Sequence, residues 1–258
     1  MSWRYLAVAT EAVLRAGRIQ KDRYASGGAV EYKGSIDLVT EVDRDCELAI
    51  LETIRSRYPT HDIVTEETDL SRTGSRHVWF VDPLDGTVNF AHSYPFFCAS
   101  VALAVDGEIV AGAVFDPVRD ELFSAEKGGG AHLNGRRLQV TTASRLIESL
   151  VITGFPYDLH EKLDERLRPF NKLMGLARAV RRDGAAALDL CYVAAGRADG
   201  FWEVILKPWD MHAGRLVVEE AGGKTSRLDG TPLGLGPDGC IATNGLIHEA
   251  LVEALREE

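Results

Sequence analysis

The sequence is poor in cysteine and in long apolar runs, and each shortage excludes a class of protein. Its 258 residues include four cysteines, none of them in a Cys-x-x-Cys pair, so neither a disulfide scaffold nor a zinc site is expected. The longest apolar run, residues 95–105, is broken by Ser100 and is too short to cross a bilayer. The apolar stretch 5–9 does not suit a signal peptide. We expect a cytoplasmic protein that does not associate with membranes.

Positive charge is also scarce. The chain has 29 Lys and Arg against 39 Asp and Glu, for a formal net charge of −10. Binding along a nucleic acid requires a basic face, so we expect no nucleic-acid partner. A small anionic ligand stays compatible with this charge, because a bound metal ion can invert the local field.

Helix and strand patterns alternate along the chain and predict a layered α/β or α+β sandwich with partly antiparallel sheets. The hairpin turn at 106–107 lies between two apolar strands and predicts an antiparallel meander in the first half, residues 1–145. The second half, residues 146–258, alternates helices with strands. No Pro- or Ser-rich linker separates the halves, so we expect a single domain over residues 1–258.

The predicted elements can be given by their ranges. Helices are predicted at 3–20, 43–57, 160–176, 185–195 and 210–221, and at the end of the chain. Strands are predicted at 77–81, 100–105, 108–115, 150–153, 201–206 and 241–243, with further turns at 116–117 and 134–135.

The most informative segment is Trp79-Phe-Val-Asp-Pro-Leu-Asp-Gly-Thr-Val-Asn-Phe90, in which a buried strand ends in Asp82 and Asp85. One interpretation is a plain turn, since Asp, Pro and Gly are turn residues. The other is a divalent-cation site, because Mg²⁺ prefers carboxylate and carbonyl oxygens, and the Leu84 carbonyl could join the two carboxylates. Gly86 and Thr87 could then hold a phosphate at a helix start.

Three other acidic motifs have simpler interpretations when each is taken alone. Thr65-Glu66-Glu67-Thr68 is typical of an acidic turn or a helix start. Asp210 could cap the helix that follows it, and Asp43 could complete a capping box with Thr40. All of these carboxylates are predicted at strand ends or helix starts, where loops carry functional sites.

Taken together, the motifs resemble the inositol monophosphatase family of metal-dependent phosphatases, in its bacterial and archaeal branch. They follow the family's order and extend over most of the chain. They are the segment at 79–90, Trp-Asp-x-x-Ala-Gly at 209–214, Glu-Ala-Gly-Gly at 220–223, Asp-Leu-Val-Thr-x-x-Asp at 37–43, Glu-Glu at 66–67 and Gly-Ala-Ala-Ala-Leu-Asp at 184–189.

The resemblance implies an α-β-α-β-α layered sandwich, assembled as a homodimer and inhibited by lithium. It implies two or three Mg²⁺ ions and a small phosphorylated polyol as substrate. The implied metal ligands are Glu66, Asp82, Asp85, Asp210 and the Leu84 carbonyl.

The resemblance also implies the roles of further residues. Glu66, Thr87 and Asp43 would activate the attacking water, and Gly86 and Thr87 would bind the phosphate. The implied substrate contacts are Gly184, Ala185, Ala186, Glu203 and Asp210.

Some residues depart from the family's usual pattern. Lys33 is one residue closer to the following Asp than in animal members, and it is expected either to reach the phosphate or metal or to be a solvated lysine. Ala185 replaces a common Ser or Thr. His212 replaces a small residue, and either reaches the substrate or caps the helix surface.

The expected reaction is Mg²⁺-dependent hydrolysis of a phosphate monoester, with inositol-1-phosphate as the default substrate. Histidinol phosphate, a nucleotide 3′-phosphate, NADP and fructose-1,6-bisphosphate are the alternatives, and the last would need cationic residues such as Arg178, Arg181, Arg182 or Lys207. Two hypotheses of another class are a non-catalytic partner of the transcription machinery and a Ca²⁺-stabilised domain without turnover.

Overall fold

The computed structural model describes residues 3–26, 30–32, 38–156, 159 and 161–256. The described helices are α1 (Trp3–Ser26), α2 (Glu41–Arg57), α3 (Thr87–Ala91), α4 (Leu163–Leu176), α5 (Ala186–Ala194), α6 (Pro208–Glu220) and α7 (His248–Leu255). The described strands are β1 (Val30–Tyr32), β2 (Leu38–Thr40), β3 (Asp62–Thr65), β4 (His77–Asp85), β5 (Cys98–Val105), β6 (Glu108–Asp116), β7 (Glu121–Glu126), β8 (Gly130–Leu133), β9 (Arg136–Arg137), β10 (Leu150–Thr153), β11 (Ala179–Arg181), β12 (Gly200–Leu206), β13 (Lys224–Ser226) and β14 (Asp238–Thr243).

A seven-stranded sheet in the order β3-β4-β5-β6-β7-β8-β9 forms the first half of the fold. β3 pairs with β4 in parallel, and the strands from β4 to β9 pair antiparallel. Asp106 and Gly107 join β5 to β6 with φ angles of 52° and 87°, as a tight hairpin turn requires. The predicted antiparallel meander is confirmed.

This sheet is buried on both faces, which explains why its strands are continuous apolar runs. On β4, Trp79 and Val81 pack toward α1 and α2. Val78 and Phe80, which alternate with them, pack toward α5 and α6 on the opposite face. Burial of each such side chain contributes roughly 1.5–3 kcal/mol, so these two faces hold the helical layers in place.

The second sheet has five strands in the order β11-β10-β12-β14-β13, with both parallel and antiparallel pairs. Helices α5 and α6 lie between the two sheets, and α4 and α7 cover the outer face of the five-stranded sheet. The resulting order of layers is α-β-α-β-α, which confirms the expected fold. None of the described helices combines the length and apolarity that crossing a bilayer requires.

The central core draws on both halves of the chain. Phe123 from the meander and Phe201 from β12 belong to the same buried cluster around α5 and α6. Among the described residues, the two halves therefore share one buried core.

Several helix boundaries differ from the sequence predictions, and α2 begins at Glu41, two residues earlier than predicted. α1 continues past residue 20 to Ser26, and α4 begins at Leu163 with Pro169 in its interior. α6 begins at Pro208, two residues before Asp210, because proline suits the first turn of a helix. Asp210 is therefore not the N-cap. It lies at the third helical position, and its Oδ2 accepts the backbone N–H of Lys207 at 2.7 Å.

Three buried histidines contribute to the acid sensitivity of the fold. Burial lowers the pKa of His61, His212 and His248 to about 4. In the unfolded chain these groups bind protons near pH 6.5. Their contribution to the free energy of unfolding should therefore fall as the pH drops from about 6.5 to about 4, whereas buried acids such as Asp85 and Asp210, whose pKa values are raised to about 7 and about 6, contribute in the opposite direction. Thermal melts over this range measure the effect.

Matched substitutions assign the effect. Relative to the parent, His248→Gln should remove one contribution to the loss of stability on acidification, because it removes a proton-binding group that lies between Thr243 Oγ1 and Ser226 Oγ. His132→Gln replaces a half-buried histidine on β8 and should leave the dependence unchanged. Equal pH profiles for the two variants would contradict the assignment.

Candidate active site

The segment from Asp82 to Thr87 folds as an irregular strand end followed by a helix start. The pairing of β4 with β5 shifts register between Asp82 and Asp85, so the two carboxylates are not held by a regular ladder. Asp82 Oδ1 accepts the backbone N–H of Leu84 at 3.0 Å, and the Leu84 carbonyl accepts the Thr87 hydroxyl at 3.0 Å. These bonds fix the loop in a compact turn.

Glycines with left-handed backbone angles precede both helices that point at this loop. Gly86 has φ 91° before α3, and Gly184 has φ 89° two residues before α5. A Cβ on Gly86 would also lie 3.0 Å from the carbonyl oxygen of Phe96. The space and the backbone angle both require glycine at this position.

Six acidic residues line one cavity of about 650 Å³, and the four predicted metal ligands among them come from three parts of the chain. Asp82 and Asp85 come from β4, Glu66 follows β3, and Asp210 lies in the first turn of α6. We refer to Glu66, Asp82, Asp85 and Asp210 as the cavity carboxylates. The structure brings these four predicted residues together around one cavity.

The cavity carboxylates have no ion pair with lysine or arginine among the described residues. Burial raises the pKa of Asp85 to about 7 and that of Asp210 to about 6. Burial and then repulsion from neighbouring carboxylates hold the pKa of Asp82 well above its usual range. The pKa of Glu66 is raised by the same two causes, although its side chain remains open to water on the cavity side.

A hard divalent cation fits this donor set. Oxygen ligands alone suit Mg²⁺, and positive charge would relieve the repulsion that raises the carboxyl pKa values. Among the described residues, however, no three His, Cys, Asp or Glu side chains are arranged to hold a metal ion as they stand. Asp82, Asp85 and Asp210 each direct one oxygen to a backbone N–H, and Asp85 Oδ2 accepts that of Ala187 at 2.7 Å.

Thr87 lies between the cavity and a buried acid. Its hydroxyl oxygen is 3.2 Å from Asp43 Oδ1 and 3.0 Å from the Leu84 carbonyl. Asp43 is buried behind Thr87 and does not line the cavity. The predicted Thr87–Asp43 pair is therefore present, with Thr87 as its cavity-facing member.

The predicted substrate-contact residues also border the cavity. Gly184, Ala185 and Ala186 line it at the start of α5, and Glu203 lines it from β12. Burial raises the pKa of Glu203 to about 8. Gly154 is close to this side chain, because a Cβ at 154 would lie 2.1 Å from the Glu203 carboxylate.

Other predicted residues are not brought to the cavity. His212 is fully buried, with its ring packed edge-on against Phe80 at 4.7 Å and Nε2 3.2 Å from the Leu235 carbonyl. It neither lines the cavity nor caps the helix surface, so both expectations for it are wrong. Lys33 lies outside the described residues.

The cationic candidates divide into two groups. Arg182 and Lys207 border the cavity, whereas Arg178 and Arg181 do not.

Several buried polar side chains that were not predicted from the sequence hydrogen-bond the segments that carry the site residues. Gln20 on α1 is fully buried, and its Nε2 donates to the Pro83 carbonyl at 2.8 Å and to the Cys98 carbonyl at 3.2 Å. It thereby holds the register shift of β4 from the helical side. The signal was a polar residue on the apolar face of α1, at helical spacing from Val13 and Ala16.

Glu47 on α2 fixes the segment that carries Glu66. Its carboxylate accepts hydrogen bonds from the Thr65 hydroxyl at 2.7 Å, the Thr68 hydroxyl at 2.6 Å and the Thr68 N–H at 3.2 Å. Glu66 is thus fixed from both flanks.

Asn89 joins the two helix starts. Its Nδ2 donates to the Phe96 carbonyl at 2.8 Å and to the Asp183 carbonyl at 2.9 Å.

Comparison with known proteins gives consistent results over the whole length. The sequence profile of the inositol monophosphatase family matches residues 3–258. An inositol-1-monophosphatase from Synechocystis is 46% identical over 253 residues, which cover 97% of this chain and 88% of that protein. The Nus factor SuhB of Escherichia coli K12 is 42% identical over 256 residues, covering 98% of this chain and 96% of that protein.

Solved structures agree with this result. The inositol monophosphatase of Anabaena superposes with a TM-score of 0.90 at 42% identity, and the alignment covers 98% of this chain and 95% of the other. The extragenic suppressor protein suhB of Bartonella henselae gives a TM-score of 0.92 at 40% identity, covering 98% and 99%.

The layered fold and these relatives define a metal-binding phosphomonoesterase. The chain belongs to the inositol monophosphatase family.

Loss of the Gln20 amide should weaken both the fold and metal binding. In Gln20→Ala two buried carbonyls lose their donor, which costs about 1–3 kcal/mol of unfolding free energy. The β4 turn also loses its support, so the Mg²⁺ concentration that gives half of the metal-induced rise in Tm should increase. Thermal melts across a Mg²⁺ series measure both quantities.

Gln139→Ala is the matched control, because Gln139 is exposed. It should change neither quantity. A Gln20→Ala protein with reduced stability but an unchanged Mg²⁺ midpoint would show that Gln20 supports only the fold.

Proposed function

We propose that this chain hydrolyses a small polyol monophosphate, by default inositol-1-phosphate, to the polyol and phosphate in the presence of Mg²⁺. The observation that carries the proposal is the convergence of the four cavity carboxylates, without a cationic partner among the described residues, beside two glycine-led helix starts. Carboxylates suit divalent cations, and helix starts suit a phosphate. One cavity thus offers both halves of a metal–phosphate site.

The residues that would hold two or three Mg²⁺ ions are the cavity carboxylates and the Leu84 carbonyl. Bound divalent cations supply charge neutralisation for the phosphate and lower the pKa of water, and both are needed because phosphate monoesters hydrolyse extremely slowly without catalysis.

The protein's own groups would position the reactants. The Thr87 hydroxyl donates its hydrogen toward Asp43 or the Leu84 carbonyl, so an oxygen lone pair remains free to accept a hydrogen bond from the attacking water. Asp43 could then take up a proton passed through Thr87, and Glu66, on the water-accessible side, is the second candidate base. Backbone N–H groups at Gly86 and Thr87 would orient the phosphate.

Glu203 would recognise hydroxyl groups on the alcohol, together with the segment Gly184 to Ala186. Histidinol phosphate, nucleotide 3′-phosphates and NADP remain alternative substrates. Arg182 and Lys207 at the cavity are the features that favour fructose-1,6-bisphosphate, because a second phosphate needs positive charge.

Phosphate release from a substrate panel tests the proposal. The panel holds inositol-1-phosphate, histidinol phosphate, fructose-1,6-bisphosphate, NADP and 3′-phosphoadenosine 5′-phosphate, each with and without Mg²⁺. The expected result is Mg²⁺-dependent turnover that is highest on inositol-1-phosphate. Absence of turnover on every compound, from folded protein, would overturn the proposal.

Asp85→Asn should abolish most of this activity while the protein stays folded. Substitution of a residue that hydrogen-bonds a metal ligand commonly lowers metal affinity or activity by about 10–100-fold. Loss of a ligand itself should therefore reduce kcat/KM by at least about 100-fold. The asparagine oxygen can still accept the Ala187 N–H, and one negative charge leaves a crowded cavity, so the Tm without metal should not fall.

Asp106→Asn, in the exposed hairpin turn between β5 and β6, is the matched control and should retain full activity. An active Asp85→Asn variant would remove Asp85 from the proposed ligand set.

A second function of another class is favoured by the relatives named Nus factor SuhB. We propose as an alternative that the chain binds a component of the transcription machinery independently of catalysis. Asp85→Asn separates the two functions, because it should remove phosphatase activity and leave such binding unchanged. We further propose a homodimer, whose mass in solution can be measured by light scattering.

A further inference from the structure

Asp189 on α5 is a buried acid that borders the cavity and that the proposed chemistry does not use. Its side chain is 1% exposed, and its Oδ1 has no hydrogen-bond partner among the described residues. The residue nevertheless lines the same cavity as the cavity carboxylates. Burying a carboxyl oxygen without a partner is costly, and folded proteins normally avoid it. The partner of Asp189 is therefore expected to enter the cavity from outside the chain.

The surroundings of Asp189 do not provide that partner. Arg182 is the nearby cation and borders the cavity, but it is exposed and forms no ion pair within the described residues. Burial, followed by repulsion from Asp183, Asp85 and Glu203, holds the pKa of Asp189 well above its usual range. A carboxyl group in this setting can accept or donate a hydrogen bond, which suits a hydroxyl group.

Asp189 lies near Glu203 on the border of the cavity. Asp189 lies one turn into α5, beyond the segment Gly184 to Ala186, and its charge interacts with Asp183, Asp85 and Glu203. Glu203, on β12, has its carboxylate in the space that the missing side chain of Gly154 leaves open. Asp189 and Glu203 are thus two buried carboxyl groups that line one cavity.

We propose that Asp189 forms a hydrogen bond with a hydroxyl group of the substrate's alcohol and, with Glu203, selects polyol monophosphates over bisphosphates. This inference rests on the proposed phosphatase function. Each carboxyl group can form a hydrogen bond with a neutral hydroxyl, whereas in its ionised form it repels a second phosphate, and Arg182 and Lys207 at the cavity oppose that repulsion. Asp189 is thus a specificity residue and takes no part in the attack on phosphorus.

Steady-state kinetics on two substrates test this role. Inositol-1-phosphate carries ring hydroxyls, whereas p-nitrophenyl phosphate carries none. Asp189→Ala should raise KM for inositol-1-phosphate roughly tenfold, the equivalent of one lost hydrogen bond to a charged or buried group. Its kcat/KM for p-nitrophenyl phosphate should stay close to that of the parent. Asp189→Asn keeps an acceptor oxygen and should restore most of the affinity for inositol-1-phosphate.

Two further measurements separate specificity from structure. The Tm of Asp189→Ala should not fall appreciably, because the removed Oδ1 has no partner to lose. Asp183→Asn, which removes a neighbouring charge that does not line the cavity, should leave the KM for both substrates unchanged. The kcat/KM ratio of inositol-1-phosphate to fructose-1,6-bisphosphate should fall in Asp189→Ala.

Several outcomes would overturn the inference. An unchanged KM for inositol-1-phosphate in Asp189→Ala would leave only water as the partner of Asp189. An equal loss on inositol-1-phosphate and p-nitrophenyl phosphate would mean that Asp189 shapes the phosphate site. If the parent protein hydrolyses neither compound with Mg²⁺, the proposed function itself fails. If the parent hydrolyses p-nitrophenyl phosphate but none of the polyol phosphates, the phosphatase chemistry stands and the hydroxyl contact is refuted.

Discussion

Electrostatic repulsion among the cavity carboxylates is the constraint on which the rest of this structure depends. Like charges at short range oppose one another, and burial increases the cost because water no longer screens them. The chain holds these groups together by directing one oxygen of Asp82, Asp85 and Asp210 to a backbone N–H. The layers on either side supply the packing free energy that offsets the repulsion, and the remaining oxygens are left for a cation.

The central helical layer makes that arrangement possible. α5 and α6 pack against the seven-stranded sheet on one side and against strands of the five-stranded sheet on the other. The starts of α5 and α6 thereby lie beside β4 and β5, where the Ala187 N–H donates to Asp85 Oδ2 and the Ser100 hydroxyl on β5 donates to the Trp209 carbonyl at 3.3 Å. Carboxylates far apart in sequence meet because two sheets share one layer of helices, and the starts of α5 and α6 lie at the same place.

Sequence alone predicted the site residues that are contiguous in the chain or lie at the ends of helices and strands. Asp82 to Thr87 form one contiguous segment. The glycine at position 86 indicates a turn, and the structure shows it with a φ of 91°. The supports could not be predicted in this way, because Gln20 bonds the carbonyl of Pro83, a residue distant in the chain, and only the packing of α1 on β4 brings them together. His212 was misjudged because a histidine beside an acidic motif suggests chemistry, whereas tertiary packing against Phe80 buries it.

The division of the proposed metal ligands between the two halves of the chain has a mechanical consequence. Glu66, Asp82 and Asp85 belong to the meander half, and Asp210 belongs to the alternating half. An ion coordinated by both halves closes a long loop of the chain, much as a covalent cross-link does, and restricts the unfolded ensemble accordingly. A bound ion would then also stabilise the contact between the two halves. Unfolding of either sheet and loss of the ion would therefore occur together, as one cooperative event.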